Sequence, residues 1–498
     1  MFAVITASSD TYITDKFVGT ERAVSGNVGL AGTLDLFKLW DESNVVTGTS
    51  ELTRVLLGFD WGRLQEITSS TLDINDFRAY LKMKSVIGGQ PAPTDFTLSL
   101  FPLSASFREG IGRDVSTFSN IDAANFISNS IGSVWNVEGA NAGGLLGSSD
   151  IDYISSGNFG DGLGLRSFEV TQNFIDGNED LVMDITDFVS ASMVGLLPYP
   201  NFRLSFTGSQ ETDAVTYFVK RFGSRNAKNS LLRPRVEVYW DDSRFDSREI
   251  ARFDVSGTLY IRNTVFGERA NLVSGSSLTP ITGQNCLLVR FTTGSYSKYF
   301  TGSQDSQAGF IGGIYSSPYI FASSDTGVIS GSLTLADALQ ASGSITFEEV
   351  WTSLDETVVF KSGTLEVTSL EPSDDIFGDD RVRMTCSGPS TAPPNTLILV
   401  RCKFFDLALE DRSSKFSIER KPIPVTGLYR VIDTQSKEVY IDFNLTGNWL
   451  SADKNGNYFE FYSDSIPYGR PVHFEFKVNY NGKSRIISDE GYTFTLGS

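Results

Sequence analysis

Along most of the chain, apolar and polar residues alternate with a period of two in short runs, and Gly, Ser, Asn and Asp bound those runs. This is the pattern of half-buried antiparallel strands. Val236–Trp240, Phe96–Phe101, Phe202–Phe206, Thr364–Thr368 and His473–Val478 are clear cases. A helical period is confined to brief stretches, and helices are predicted at Ile185–Met193, Leu333–Ala341 and Ile121–Asn129. The prediction is an all-β chain: an N-terminal jelly-roll-like β-sandwich followed by two smaller Ig-like β-sandwich units.

Boundaries follow from shifts in that pattern. The strand ending at Trp240 gives way to a charged stretch through Glu249, and a second shift occurs at the acidic, turn-forming Glu371–Asp380. The predicted domains are residues 1–241, 248–371 and 376–498. Within the first, Ile131–Arg166 carries glycines at 132, 139, 143, 144, 147, 157, 160, 162 and 164. It is predicted to be a long irregular excursion between strands, of a length that usually serves a function or an interface.

Composition narrows the function classes. Among 498 residues, 41 Lys and Arg face 60 Asp and Glu, a formal net charge of −19, so the chain has no basic footprint for nucleic acid or anionic membrane. No run approaches the roughly 20 apolar residues of a membrane helix. The N-terminus has no basic leader, and three scattered cysteines make no disulfide framework, so synthesis in a reducing cytoplasm is expected. One histidine, His473, excludes chemistry that needs a histidine pair, and with only Cys286, Cys386 and Cys402 it excludes a Cys/His zinc site.

The N-terminal half carries an ordered series of short motifs: Asp10-Thr-Tyr, Thr53–Asp60, Ile67–Leu72, Phe107-Arg-Glu-Gly110, Val134-Trp-Asn136, Leu181–Val189, and Phe222–Lys228 followed by Leu232–Val238. In that order they resemble the DNRLRE-type, disaggregatase-related carbohydrate-binding sandwich module over residues 8–241. The sequence departs from the family pattern at Phe107 in a tryptophan place, Asn226 in a glutamate place and Ser70 in an alanine place. The resemblance implies a sandwich fold and a sugar bound at a surface or loop edge, sometimes near calcium. From the residues themselves, Arg54 and Asp60 could pair across a strand edge, Trp135 and Phe59 read as core anchors, and Arg233-Pro234 opens the last strand.

No catalytic set emerges. His473 sits within an alternating strand, and Cys386 and Cys402 lie in strand-like runs without another histidine to activate them. The acid pairs Glu348-Glu349, Asp374-Asp375, Asp379-Asp380 and Asp241-Asp242 would point to opposite faces in a strand or sit solvated in a turn. Gly160–Gly164 lacks the lysine and helix of a phosphate loop. The one candidate metal site is Asp176, Asn178 and Asp180, whose oxygens at alternate positions suit calcium; no other cofactor is expected. In the similar Asp453–Asn457, Asn455-Gly456 reads as a hairpin turn. Tyr296, Tyr299, Phe300, Tyr315 and Tyr319 read as core or interface in preference to a sugar platform.

Taken together, the chain resembles a bacteriophage particle component of the tail, neck or baseplate. The expectation is a non-enzymatic structural protein of the virion, synthesised in the host cytoplasm. It would dock to other virion structural proteins through sandwich edges and loops, as a homo-oligomer in the particle. The alternative is a carbohydrate-binding surface or adhesion protein of the bacterial cell surface that uses its N-terminal sandwich to bind polysaccharide; a host-surface glycan is a further candidate partner. Neither involves nucleic acid or membrane insertion.

Overall fold

A computed structural model describes residues 1–43, 45–68, 77–89, 91–158, 164–266, 268–275, 278–305, 312–369, 382–406, 423–424, 426–480 and 483–497. The acidic stretch 371–380, residues 160–163 of the glycine run and Ser70 lie outside the described residues. Among the described residues, the fold is all-β with four short α-helices. It divides into two compact units, one of residues 2–240 with 464–468, the other of Met1, 241–463 and 469–498.

The N-terminal unit has two principal antiparallel sheets. The first orders Phe2–Thr6, Arg235–Trp240, Phe77–Met83 and Leu181–Asp184. The second orders Val170–Phe174, Phe96–Pro102, Asn201–Phe206, Ser50–Gly58, Thr33–Trp40 and Tyr217–Gly223, and Ser9–Thr14 also pairs onto Ser50–Gly58. Phe96 stacks on Phe174 at 4.9 Å and meets Phe206 edge-on at 5.6 Å, fixing the core with aromatic pairs. Ser50–Gly58 is buried at every position from Thr53 onward, where a half-covered strand would alternate. The reason lies on its second face, where Ile13 and Leu56 pack with Leu103, Ala124, Phe126, Trp135 and Ala140.

The excursion after Ile131 is therefore part of the packing. It also carries regular structure: Gly143–Leu145 runs parallel to Tyr153–Asn158, which pairs with Leu165–Ser167. The prediction of an irregular segment is corrected there, because these strands are too short and too glycine-rich to show a period. Phe59 and Trp135 are buried as expected.

In the other unit, one six-stranded sheet orders Gly257–Arg262, Ile314–Tyr319, Tyr296–Gln304, Leu287–Thr293, Ser344–Thr352 and Val359–Thr368. The sheet folds over at Tyr296–Gln304, whose first part pairs with Leu287–Thr293 and whose end pairs with Ile314–Tyr319. One aromatic core results, centred on Phe321 stacked on Phe347 at 4.5 Å. Beyond it, a sheet of Val382–Ser387, Leu397–Asp406, Gly456–Tyr462 and Ser451–Asp453 faces one of Thr391–Ala392, Lys483–Leu496, Pro471–Tyr480, Thr426–Asp433 and Val439–Ile441. Phe459 and Phe461 from the first meet Phe474 and Phe494 from the second at 4.9–5.5 Å, the mark of a two-layer sandwich.

Two predicted helices form, at Thr186–Met193 and Leu335–Ser342, the latter with a Thr334/Asp337 capping box and a left-handed Gly343 at its end. The third does not. At Ile121–Asn129 the Asn125 side chain accepts from the amides of Ile127 and Ser128, and Asp122 has φ +54°, so local turns replace helical bonds. Gly62–Thr68 and Gly208–Thr212 are helical without a prior signal. Among the described residues, no helix is long and apolar enough to cross a membrane.

The attachment of the excursion can be tested at Gly139, which has φ +79° and where a Cβ would stand 2.7 Å from the Phe126 ring. Gly139→Ala is expected to lower unfolding free energy in denaturant titration by about 2 kcal/mol. Gly48→Ala, at φ +74° with open space around it, should lose only about 1 kcal/mol.

Candidate functional site

The site with the most structure behind it is the mount of the excursion on the outer face of the N-terminal sandwich. Arg54, nearly inaccessible, donates from Nε and Nη2 to the two carboxylate oxygens of Glu211 at 2.8 and 2.7 Å, and from Nη1 to the Gly139 carbonyl at 2.7 Å. Arg203, also buried, stands 3.8 Å from Glu211, donates to Asn141 Oδ1 at 3.3 Å and lies over the Tyr153 ring at 4.7 Å. Two guanidiniums thus share one carboxylate. Burial first, and the Arg54 charge second, push the Arg203 guanidinium down to about 10. The expected pairing of Arg54 with Asp60 does not form. Six strand positions span roughly 20 Å, beyond the reach of both side chains. Asp60 instead accepts from the Gly62 amide at 2.8 Å, starting the helix there.

Asp152 completes the mount. Its buried carboxylate accepts from the amides of Asn136, Val137 and Ala142 at 2.7, 3.0 and 2.9 Å, and Trp135 Nε1 donates to the Asn125 carbonyl at 2.9 Å. These bonds satisfy backbone donors that an irregular buried loop would leave orphaned. The excursion's exposed residues include five apolar side chains, Ile131, Val134, Val137, Leu145 and Leu165, which are 46–68% exposed among polar neighbours such as Ser133, Asn136 and Glu138. Glu211, Asp152 and Arg203 carry no sequence signal, because their partners lie 8 to 157 positions away.

The motif residues of the N-terminal half also meet. Arg225 donates from Nε and Nη2 to Glu109 at 2.5 and 2.6 Å, Glu109 Oε1 accepts from the Asp10 amide at 3.0 Å, and Asp10 Oδ2 accepts from the Arg225 amide at 2.5 Å. Asn226, where the resemblance expects glutamate, donates to the Gly29 carbonyl at 2.9 Å. Asp10 is buried with Oδ1 unpartnered, and burial, reinforced by Glu109, pushes its carboxyl up to about 7 against the pull of the Arg225 amide. The arrangement fastens three chain segments together.

Asp180 accepts from the Ser85 amide at 2.8 Å and pairs with Lys84 at 2.9 Å, while Asp176 and Asn178 are exposed. The loop does hold a cation. Lys220 Nζ donates to the carbonyls of Gly177 and Glu179 and to Ser85 Oγ, each at 2.8 Å. Among the described residues, no three His, Cys, Asp or Glu side chains are grouped to hold a metal.

The remaining candidates fall into structural places. His473 is buried in its strand with Nδ1 3.2 Å from Thr434 Oγ1. Cys386 and Cys402 are cross-strand partners with sulfurs 3.8 Å apart, and burial pushes the Cys402 thiol up, so its thiolate is disfavoured. Glu348 is exposed and Glu349 buried against Arg248, as adjacent strand positions require. Tyr296, Tyr315 and Tyr319 are core residues, leaving Tyr299 exposed. Asp453 pairs with Gly456 across the predicted two-residue turn.

No protein-family model matches the chain, and no curated protein does. Among solved structures, a marsupial T cell receptor is similar at 11% identity over 49% of this chain and 69% of that one, with a TM-score of 0.16. The alpha-2-macroglobulin of Salmonella covers 99% of this chain and 26% of its own at 8% identity and a TM-score of 0.15. The corresponding protein of Escherichia coli, in its trypsin-activated form, gives 8% identity and a TM-score of 0.15 over 99% of this chain and 30% of its own.

Two outcomes are expected. The folded chain keeps the Asp10 proton between the ordinary value of 3.8 and about 7, where the unfolded chain has lost it, so stability falls as pH rises through that window and levels above it. Asp10→Asn should remove that slope, worth on the order of 4 kcal/mol, in denaturant titrations from pH 4 to 8. Calcium at millimolar concentration should give no saturable heat at the 176–180 loop, since its carbonyls already hold an ammonium; saturable heat abolished by Asp180→Asn would show otherwise.

Proposed function

We propose that the chain is a non-enzymatic structural component of a virion, of the tail, neck or baseplate region, which docks to neighbouring subunits through the excursion on its first sandwich. The observation that carries this reading is the contrast between the buried and the exposed residues of that excursion. Its inner side is fixed by Trp135, Asp152 and the Arg54–Glu211 pair, whereas its exposed residues include five apolar side chains in water. A loop meant only to connect strands has no need of either feature. A fixed surface that carries apolar side chains loses little entropy on docking, and stable contacts need roughly 800 Å² from each partner. The meeting of Asp10, Glu109 and Arg225 supports the resemblance to a DNRLRE-type sandwich as the scaffold.

Light scattering on the full chain after size exclusion should show a discrete oligomer at micromolar concentration. The double variant Val134→Asp with Leu145→Asp should shift it to monomer with an unchanged circular dichroism spectrum. A parent protein that stays monomeric at every concentration and binds a polysaccharide in a glycan screen would overturn this reading in favour of a glycan-reading surface protein.

A further inference from the structure

The second unit contains a cleft of about 190 Å³ whose charge runs against that of the chain. The protein carries a net charge of −19, yet the walls of this cleft present Arg244, Arg248, Arg262, Lys361 and Lys454 against only Asp246 and Asp453. Its elements are held firmly. The segment leading to Arg248 is bonded to the hairpin that carries Lys454, through Asp246 N to the Ala452 carbonyl at 3.0 Å, Ala452 N to the Arg244 carbonyl at 3.0 Å and Arg244 N to Ser451 Oγ at 3.0 Å. Lys361 comes from the strand Val359–Thr368, and Tyr260 and Arg262 from Gly257–Arg262.

The carboxylates around the cleft are already committed. Asp453 accepts from Arg401 Nη1 with both oxygens at 2.7 Å, and Asp246 pairs with Arg248. Glu349 binds Arg248 at 2.7 Å and stands 3.7 Å from Lys361, one acid between two cations. Arg244 is bound to Asp305 through Nε and to the Asp242 carbonyl through Nη1 at 3.1 Å, but its Nη2 has no hydrogen-bond partner although the side chain is 95% buried. Arg262 lies over the Tyr458 ring at 5.1 Å and bonds the Tyr458 hydroxyl, and neither it nor Lys454 has a carboxylate partner among the described residues. A buried guanidinium donor left unpaired costs about 1–3 kcal/mol, so its retention at a cleft that also presents two exposed cations without a carboxylate points to a missing acceptor. Burial holds the Lys361 ammonium below its ordinary range, against the pull of Glu349 and Asp246.

We propose that this cleft binds the oxyanion group of a small ligand, a phosphate or a carboxylate, between Arg244, Arg262 and Lys454. Fork-shaped guanidinium donors match the oxygen spacing of both groups, and Lys454 at the hairpin tip closes over them as a mobile point charge. The volume admits one such group with a single small ring behind it and excludes a polymer threaded through. The proposal is independent of docking through the excursion, which belongs to the other unit.

The experiment is isothermal titration of the full chain with inorganic phosphate and, separately, with glucuronate, each against sodium chloride at matched ionic strength. Saturable heat with phosphate, with glucuronate or with both supports the site and identifies the group it prefers. Lys454→Ala, at an exposed turn position that bears no core contact, should weaken binding about tenfold, and Arg262→Gln by at least as much. Retained thermal unfolding temperature in Lys454→Ala ensures that its loss of binding is not a loss of fold. No heat beyond the chloride control for either anion, or undiminished binding in both variants, overturns the proposal.

Discussion

One buried guanidinium ties the first sandwich to what stands on it. Arg54 lies on a strand covered on both faces, and the three oxygens it bonds belong to a short helix and to the excursion. Ion pairs of this kind add little net stability, since desolvation offsets much of the attraction, yet removing one partner strands a charge and costs about 3–5 kcal/mol. Their effect is therefore on specificity of arrangement. With Glu211 shared between Arg54 and Arg203, the helix Gly208–Thr212, the strand Asn201–Phe206 and the loop at Gly139–Asn141 have one mutually consistent placement. Trp135 and Phe126 then close over Leu56, and the central strand is buried on its second side.

The strands were legible because each is a local pattern. Phe96–Phe101, Phe202–Phe206 and Val236–Trp240 announce themselves through side chains at spacing two, and all three form. Val55-Leu56-Leu57 gave a hint of burial on both faces, because an apolar run without alternation needs two covers. What covers it could not be read. The Arg54–Glu211 pair links positions 157 apart, and nothing in a five-residue helix with one acid marks that acid as the partner. The helix expected at Ile121–Asn129 failed for the converse reason: a spacing of apolar residues was present, but Asn125 offers the backbone closer bonds than a helix would.

The 176–180 loop has alternating side-chain oxygens of the kind that suit calcium, and main-chain oxygens from the same loop converge on a positive charge. They are the carbonyls of Gly177 and Glu179, and the charge is the Lys220 ammonium brought in from a neighbouring strand. Burial holds that ammonium down at about 8, with Glu179 and Asp180 pulling the other way. A lysine inside the structure does at this point what an ion from solution would otherwise do.

The same rule of donor supply separates the carboxylates of the two units. Asp10 and Asp433 both expose almost no surface, yet burial, deeper at Asp10, raises the first while hydrogen bonds, led by Arg470, lower the second. Asp10 receives one amide on Oδ2 and nothing on Oδ1. Asp433 receives Arg470 through Nε at 2.6 Å and Nη2 at 3.1 Å, the amides of Gln435 and Ser436, and the Ser436 hydroxyl. Burial alone disfavours charge, and enough donors reverse that preference. Applied to cations, the rule sorts the guanidiniums: those of Arg54 and Arg225 have carboxylate oxygens for their forks, whereas Arg203 Nε and Arg244 Nη2 are buried without a partner, and Arg244 alone of these two lines the cleft that also holds the exposed cations Arg262 and Lys454.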